Sequence, residues 1–348
     1  MQVTPLSIAP SDARASDRHE AVPQRSTSRR LTGLIAEAGG KRIEVDFLAI
    51  ATTPYLGQST AKRSPLEPSR ANTVKNYERI LRHSLPVRIF HWTNVVCFFV
   101  LLLSGIQIFN AHPRLYWGAT GYKGMPAAFE ISGNASSGGN DSWMQIGAWR
   151  INTTGILGEV KDVPAFGRFN VAFPPWMTLP TGTISLGRGR GWHFLFFWIF
   201  TGNLAWYLVY ATVAGRFRTV LLPRAAELTP RAILRDLRAH LRWRHRPETL
   251  ARGYNTLQKL SYIGVILVLL PMQVLTGMTM SNSALAVFPF LLDLFGGRQS
   301  ARTFHFIGAV LLVVFLLVHL WQFLAAGPIN EGRAMITGYL RIPGKTLK

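Results

Sequence analysis

The chain has 348 residues, 48% of them hydrophobic, and a formal net charge of +21 from 38 Lys/Arg against 17 Asp/Glu. The arginines cluster beside apolar spans, which favours an anionic membrane surface and topology control over nucleic-acid contact. A single cysteine, Cys97, excludes internal disulfides, cysteine-based zinc sites and the C-x-x-C-H attachment of haem.

Residues 1–78 are rich in Ser, Arg, Pro and Ala and show no sustained period, so they are expected to be mostly disordered. No uninterrupted apolar region follows their basic residues, which argues against a signal peptide. The stretch LTGLIAEAGGKRIEVDFLAIA is a candidate short local element, and an overlong translation start is the alternative to a native extension.

A membrane domain is expected over residues 79–345. Four segments have spanning length and apolar character, at about 90–109, 192–213, 261–280 and 303–325. Each carries an interruption: Ser104-Gly105, Gly202-Asn203, Pro271-Met272-Gln273 and Gly308. Small residues admit close approach of a helix or of a flat macrocycle, and ordinary helix packing explains any single glycine equally well. The loop at 110–191 holds seven Lys/Arg against four Asp/Glu, whereas 214–259 holds eleven against three in half the length. The positive-inside rule therefore predicts a cytoplasmic 214–259 loop, two cytoplasmic termini, and a periplasmic 110–191 loop and 281–302 connection. Arg79, Arg82, Arg88, Arg333 and Arg341 agree with that orientation. PRAILRDLRAHLRWRH reads as an amphipathic helix lying on the inner leaflet. AVFPFLLDLF is too short to span and is expected at the periplasmic interface. The fold class predicted is all-α: a multi-pass four-helix bundle in the bacterial inner membrane, with a long periplasmic loop and a disordered N-terminal extension.

The fourth span contains His305 and His319, fourteen residues apart in FHFIGAVLLVVFLLVHLWQFL. At about 100° and 1.5 Å per residue they lie within roughly 40° of one face and roughly 21 Å apart. Ionisable side chains in a spanning helix are costly and functional by default. The topology puts His91 at the cytoplasmic start of the first span and His193 at the periplasmic start of the second. Two pairs at matched depth follow, His91 with His319 and His193 with His305, while the third span offers no ligand. Two imidazoles per depth suit the axial ligation of two stacked, non-covalent haems. Arg88, Arg190 and Arg302 each precede one of these histidines by three residues, which on a helix shares a face. They are candidates to neutralise haem propionates, with a snorkelling, topology-setting role equally open. Gly105, fourteen residues after His91, is a candidate to leave room for the second macrocycle, with plain packing as the competing account. His83 precedes the first span and suits a solvated role better than one near a quinone or propionate. His112 is a reserve ligand near the periplasmic edge, and His19, His240 and His245 need no metal.

The stretch RHSLPVRIFHWTNVVCFFVLLLSGIQI, with its His-Trp opening and Ser-Gly, and HFIGAVLLVVFLLVH in the last span resemble bacterial di-haem cytochrome b subunits. That family includes the membrane subunits of Ni-Fe hydrogenases, formate dehydrogenases and thiosulfate reductases, with small cytochrome b561 proteins related. The resemblance covers about residues 79–340. It implies His91, His193, His305 and His319 as haem ligands and quinone exchange near the cytoplasmic haem. HPRLYWGATGY and FNVAFPPW in the long loop are most similar to the thiosulfate-reductase type, whose periplasmic partner is often a molybdopterin oxidoreductase. The N-terminal extension and the length of the 110–191 loop depart from the family core. The expected function is a membrane-anchoring electron-transfer subunit between the quinone pool and that partner, with no catalytic residue of its own. The rivals are a stand-alone cytochrome b561-type quinol oxidoreductase and a haem-free transporter or scaffold.

Overall fold

A computed structural model describes residues 36–38, 41–43, 77–122, 124–136, 139–163, 167–182, 184–241 and 256–343. The chain divides into two units, Met1–Ser64 and Pro65–Lys348. In the first, two short strands, β1 (Ala36–Ala38) and β2 (Lys41–Ile43), pair antiparallel with Ala36 opposite Ile43. They fall inside the candidate local element; of the rest of the expected disordered extension, Tyr77 and Glu78 belong to a strand and the other residues lie outside the described ones.

The second unit opens with β3 (Tyr77–Leu81) and the first long helix, α1 (Leu85–Ala111). Pro86 sits in the first turn of α1, where its missing N–H has no helical partner to lose. The second long helix, α2 (Leu186–Val213), is capped by Ser185, whose Oγ accepts from the Arg188 N–H. A shorter helix, α3 (Pro230–Leu241), coincides with the basic amphipathic stretch. The third long helix, α4 (Thr256–Met278), widens to π geometry over Gly264–Leu269. Pro271 comes two residues after it; it removes one N–H from the ladder, and the widened turn before it absorbs the mismatch. Two short helices, α5 (Asn282–Val287) and α6 (Phe290–Leu294), fill the apolar connection. The fourth long helix is α7 (Arg298–Ala326), and Gly327, at φ +104°, turns the chain into α8 (Pro328–Thr337). Strand β10 (Tyr339–Pro343) then pairs antiparallel with β3, Tyr339 opposite Leu81 and Pro343 opposite Tyr77.

Four described helices are long and apolar enough to cross a membrane: α1, α2, α4 and α7. All four spans begin earlier than expected, at Leu85, Leu186, Thr256 and Arg298 rather than near 90, 192, 261 and 303. Because β3 precedes the first and β10 follows the last, their pairing requires an even number of crossings between them. Four satisfies it. A shared core of Phe90, Cys97, Phe200, Leu204, Tyr207, Ala211, Ile266, Leu270 and Val274 joins α1, α2 and α4. The face of α7 keeps Val310, Val314, Leu317, Val318 and Leu324 exposed, a surface suited to lipid.

A strictly all-α fold is corrected by the segment between α1 and α2. It carries a four-stranded antiparallel sheet, in order β4 (Arg114–Leu115), β5 (Phe129–Ser136), β6 (Gly139–Ile146) and β7 (Trp149–Asn152). A hairpin of β8 (Glu159–Val163) and β9 (Gly167–Val171) packs on it, with the Ser142 hydroxyl donating to the Gly158 carbonyl at 2.9 Å. This small β-unit is seated on the helices by Phe109, Leu115, Ile131 and Ala172, with Phe129 and Phe306 against them. Gly297, at φ +104°, brings the start of α7 so close to Gly118 that a Cβ there would lie 2.6 Å from its carbonyl carbon.

Candidate functional site

The helices bring the four histidines together in two pairs. His193 of α2 and His305 of α7 have ring centres 6.3 Å apart, and so do His91 of α1 and His319 of α7. The planes within the pairs cross at 63° and 53°. His193 and His305 stand at the end of the bundle that meets the β-unit; His91 and His319 stand at the end of the β3–β10 sheet.

At the first pair the tautomers follow from hydrogen bonds. Ser104 Oγ lies 3.0 Å from His193 Nδ1 and donates its one proton to the Val100 carbonyl at 2.6 Å. It must then accept from Nδ1–H, which leaves the Nε2 lone pair of His193 free. Thr276 Oγ1 repeats this on α4: it donates to the Met272 carbonyl at 2.6 Å and lies 2.9 Å from His305 Nδ1. Beside each hydroxyl is a glycine against the same ring. A Cβ on Gly105 would sit 3.4 Å from His193 Cε1, and one on Gly277 would sit 3.5 Å from His305 Cε1. The hydroxyl–glycine dipeptide thus holds one nitrogen of the ring and lets the ring lie against the helix.

Thr276 and Gly277 were not singled out from sequence, since the third span had no ligand to offer. The repetition of Ser-Gly in α1 as Thr-Gly in α4 is the signal that could have found them. Gly105 packs on His193, in the pair beside the β-unit, termed the outer pair. Gly308 admits the Met272 and Gln273 side chains, where a Cβ would lie 2.5 Å from Met272 Cε.

The other pair, His91 and His319 beside the β3–β10 sheet, termed the inner pair, is held by packing. The Trp92 ring meets His91 edge-on at 5.2 Å, and Phe315 stacks on His319 at 5.8 Å. His91 Nδ1 is buried without a hydrogen-bond partner among the described residues. The indole of Trp92 donates to the Met335 carbonyl at 3.2 Å, and the Arg88 guanidinium donates to the Ile336 carbonyl. These contacts fasten α8 to the first turns of α1. Close by, His83 is buried outside the spans, and burial with the charges of Arg82, His91, Arg216 and Arg88 lowers its pKa to about 4.

The arginines expected at propionates have other contacts too. Arg302 donates to the His112 carbonyl at 2.5 Å, and Arg190 lies over the Phe194 ring at 5.8 Å. His112 caps α1, with its pKa lowered by burial and by Arg302 and Arg114 against Glu130. His240 lies in α3, while His19 and His245 lie outside the described residues.

The pairs meet the spacing requirement of a shared iron. With metal–imidazole bonds of about 2 Å and ring nitrogens about 1 Å from their ring centres, opposed imidazoles have centres about 6 Å apart. Each pair supplies two nitrogen donors, which suits an ion whose four other ligands arrive with it in a macrocycle. The free Nε2 atoms of the first pair have the protonation that such ligation needs. The residues present therefore fit haem.

A four-helix membrane protein with paired imidazoles at two levels is the architecture of a membrane cytochrome b. Residues 82–338 match the family described as prokaryotic cytochrome b561, and the chain belongs to that family. Its members are membrane-integral and bind b-type haem. Over 134 residues the chain is 35% identical to YedZ1 of Azospira oryzae, described as a protein-methionine-sulfoxide reductase subunit. That stretch is 38% of this chain and 64% of the relative, so the chain spans just under two thirds of the relative's length. No solved structure matches.

Proposed function

We propose that this protein is a membrane-anchoring di-haem cytochrome b subunit that carries electrons between the quinone/quinol pool and a periplasmic oxidoreductase. The observation that carries the reading is the equal 6.3 Å spacing of two His pairs at opposite ends of one helix. Held between each pair, a haem would supply a one-electron redox couple. His193 and His305 would hold it through Nε2, with Ser104 and Thr276 orienting the rings through Nδ1. His91 and His319 bind at the other level, where Trp92 and Phe315 fix the ring planes. Quinone exchange is assigned to the His91–His319 end, on the cytoplasmic side by the positive-inside rule.

The partner is assigned to the other end, beside the β-unit, which exposes Trp149, Ile156 and Trp176. A reductase partner accords with the description of the Azospira relative as a reductase subunit. A molybdopterin enzyme of the thiosulfate-reductase type is the finer form of this proposal, with the inner membrane as its location. The reading is tested by purifying the chain from membranes and measuring haem content and the reduced-minus-oxidised spectrum. Two b-type haems per chain and a co-purifying oxidoreductase are expected. A haem-free chain would overturn it, and a di-haem chain isolated alone and oxidising quinol would favour the stand-alone oxidoreductase.

A further inference from the structure

The β3–β10 sheet presents a feature that electron transfer does not use. Arg79 and Arg341 are directly opposed across the two strands. Directly opposed residues of an antiparallel pair share a face, with Cβ atoms about 5 Å apart, and like charges there are destabilising. Arg333 of α8 joins them, and the three arginines with Thr337 and Tyr339 line a cavity of about 240 Å³. Among the described residues no carboxylate lines it.

The cluster is built rather than splayed. Asn330 Oδ1 accepts from both the Arg333 guanidinium and the Arg341 N–H, and Asn330 Nδ2 donates to the Arg341 carbonyl at 2.8 Å. Thr337 Oγ1 donates to the Arg333 carbonyl at 2.9 Å. Desolvation and the neighbouring Arg341 and Arg79 push Arg333 below the usual arginine range. Topology control needs arginines at this level of the membrane, but it does not need two of them opposed on a sheet with a third held beside them.

We propose that Arg79, Arg333 and Arg341 form a binding site for a phosphate-class anion. Planar guanidinium forks match phosphate oxygens bidentately, and an anion between them relieves the repulsion that the sheet otherwise carries. The phosphate can come from a phospholipid headgroup or from free phosphate in solution. The surroundings bear on the source. Ile329 and Ile336 lie four residues before and three after Arg333 on the same helical face, and they are 86% and 64% exposed. Tyr339 is exposed beside them. Cations set between exposed isoleucines and a tyrosine suit the boundary of headgroups and acyl chains.

The full chain with its haem, in neutral detergent, is melted under tryptophan fluorescence with added phosphatidylglycerol, phosphatidylcholine, inorganic phosphate or chloride at matched ionic strength. Phosphatidylglycerol or phosphate should raise the midpoint of the wild type, and each of Arg79→Gln and Arg341→Gln should weaken that half-saturation about tenfold. A response to phosphatidylglycerol alone assigns the site to a headgroup, and a response to inorganic phosphate assigns it to a soluble anion. Without added anion, the glutamine variants should melt no lower than the wild type, because the opposed charges are gone. If a glutamine variant does not accumulate, Arg79→Lys and Arg341→Lys, which keep charge but lose the fork, should show an intermediate loss. Chloride or phosphatidylcholine acting as well as the phosphate anions, or variants responding as the wild type does, would overturn the proposal.

Discussion

The two imidazole pairs share one spacing but are held differently. At the outer pair, each Nδ1 is bound to a hydroxyl that is itself tied to its helix one turn earlier, Ser104 to Val100 and Thr276 to Met272. At the inner pair, His91 Nδ1 has no partner among the described residues, and ring contacts with Trp92 and Phe315 do the orienting. The difference separates two ways of fixing a ligand: directional bonds set angle and tautomer, while packing sets position and leaves the second nitrogen to be satisfied by other means.

The largest effect is expected from removing a ligand. His305→Ala and His91→Ala should each reduce haem content from two to one per chain, from different ends, and differing spectra of the residual haem would check that the pairs are separate sites. Loss of both haems from either variant would break the comparison, since it would make the levels one cooperative unit. Next come the hydroxyls. Ser104→Ala and Thr276→Val should weaken outer-site retention about 10–100-fold, the usual cost of an outer-sphere partner, and shift one midpoint potential in a redox titration while leaving the other. Two shifted potentials would dissolve the contrast. A smaller steric effect is expected at Gly105. Gly105→Val should press on the His193 ring, which already lies 3.4 Å from a built Cβ, and broaden the low-spin resonance of the outer haem only.

The smallest effect concerns pH at the inner end. His83 titrates near 4 in the folded chain against an ordinary 6.5, so between those values the unfolded chain binds more protons. Stability present above pH 6.5 should then fall as pH falls toward 4. At pH 5.5 the loss should be on the order of 1 kcal/mol, read as the difference between wild type and His83→Gln melting curves. Parallel curves for the two would show that burial of His83 carries no linkage.

The histidines were legible in the sequence because an ionisable ring in an apolar span has few structural excuses, and fourteen residues keep two rings on one face. The spans were legible for the same reason of length and composition. The role of Ser104, noted only with Gly105 as a small-residue interruption, and the whole of Thr276 were not, because hydroxyls occur freely in spanning helices and satisfy themselves on the preceding turn. The glycine that follows each of them is the one local mark they share, and the approach of a ring in three dimensions gives that mark its meaning. The strands between α1 and α2 were missed since they are short and poor in large apolar residues: Phe129–Ser136 reads FEISGNAS, whose alternation dies out in the Gly/Ser-rich turn. Pairing of β3 with β10 could not be read at all, because nothing local in either segment names a partner on the far side of four helices.

That same pairing sets an order of events during biogenesis. Strand β3 leaves the ribosome before any spanning helix, and β10 leaves after every one. The sheet can close only when an even number of helices has entered the bilayer, as is so once all four are in place. A chain in which one helix failed to insert would have its two strands on opposite sides of the membrane. The five rungs between Tyr77–Leu81 and Tyr339–Pro343 therefore act as a parity check on insertion, made by the last step of assembly.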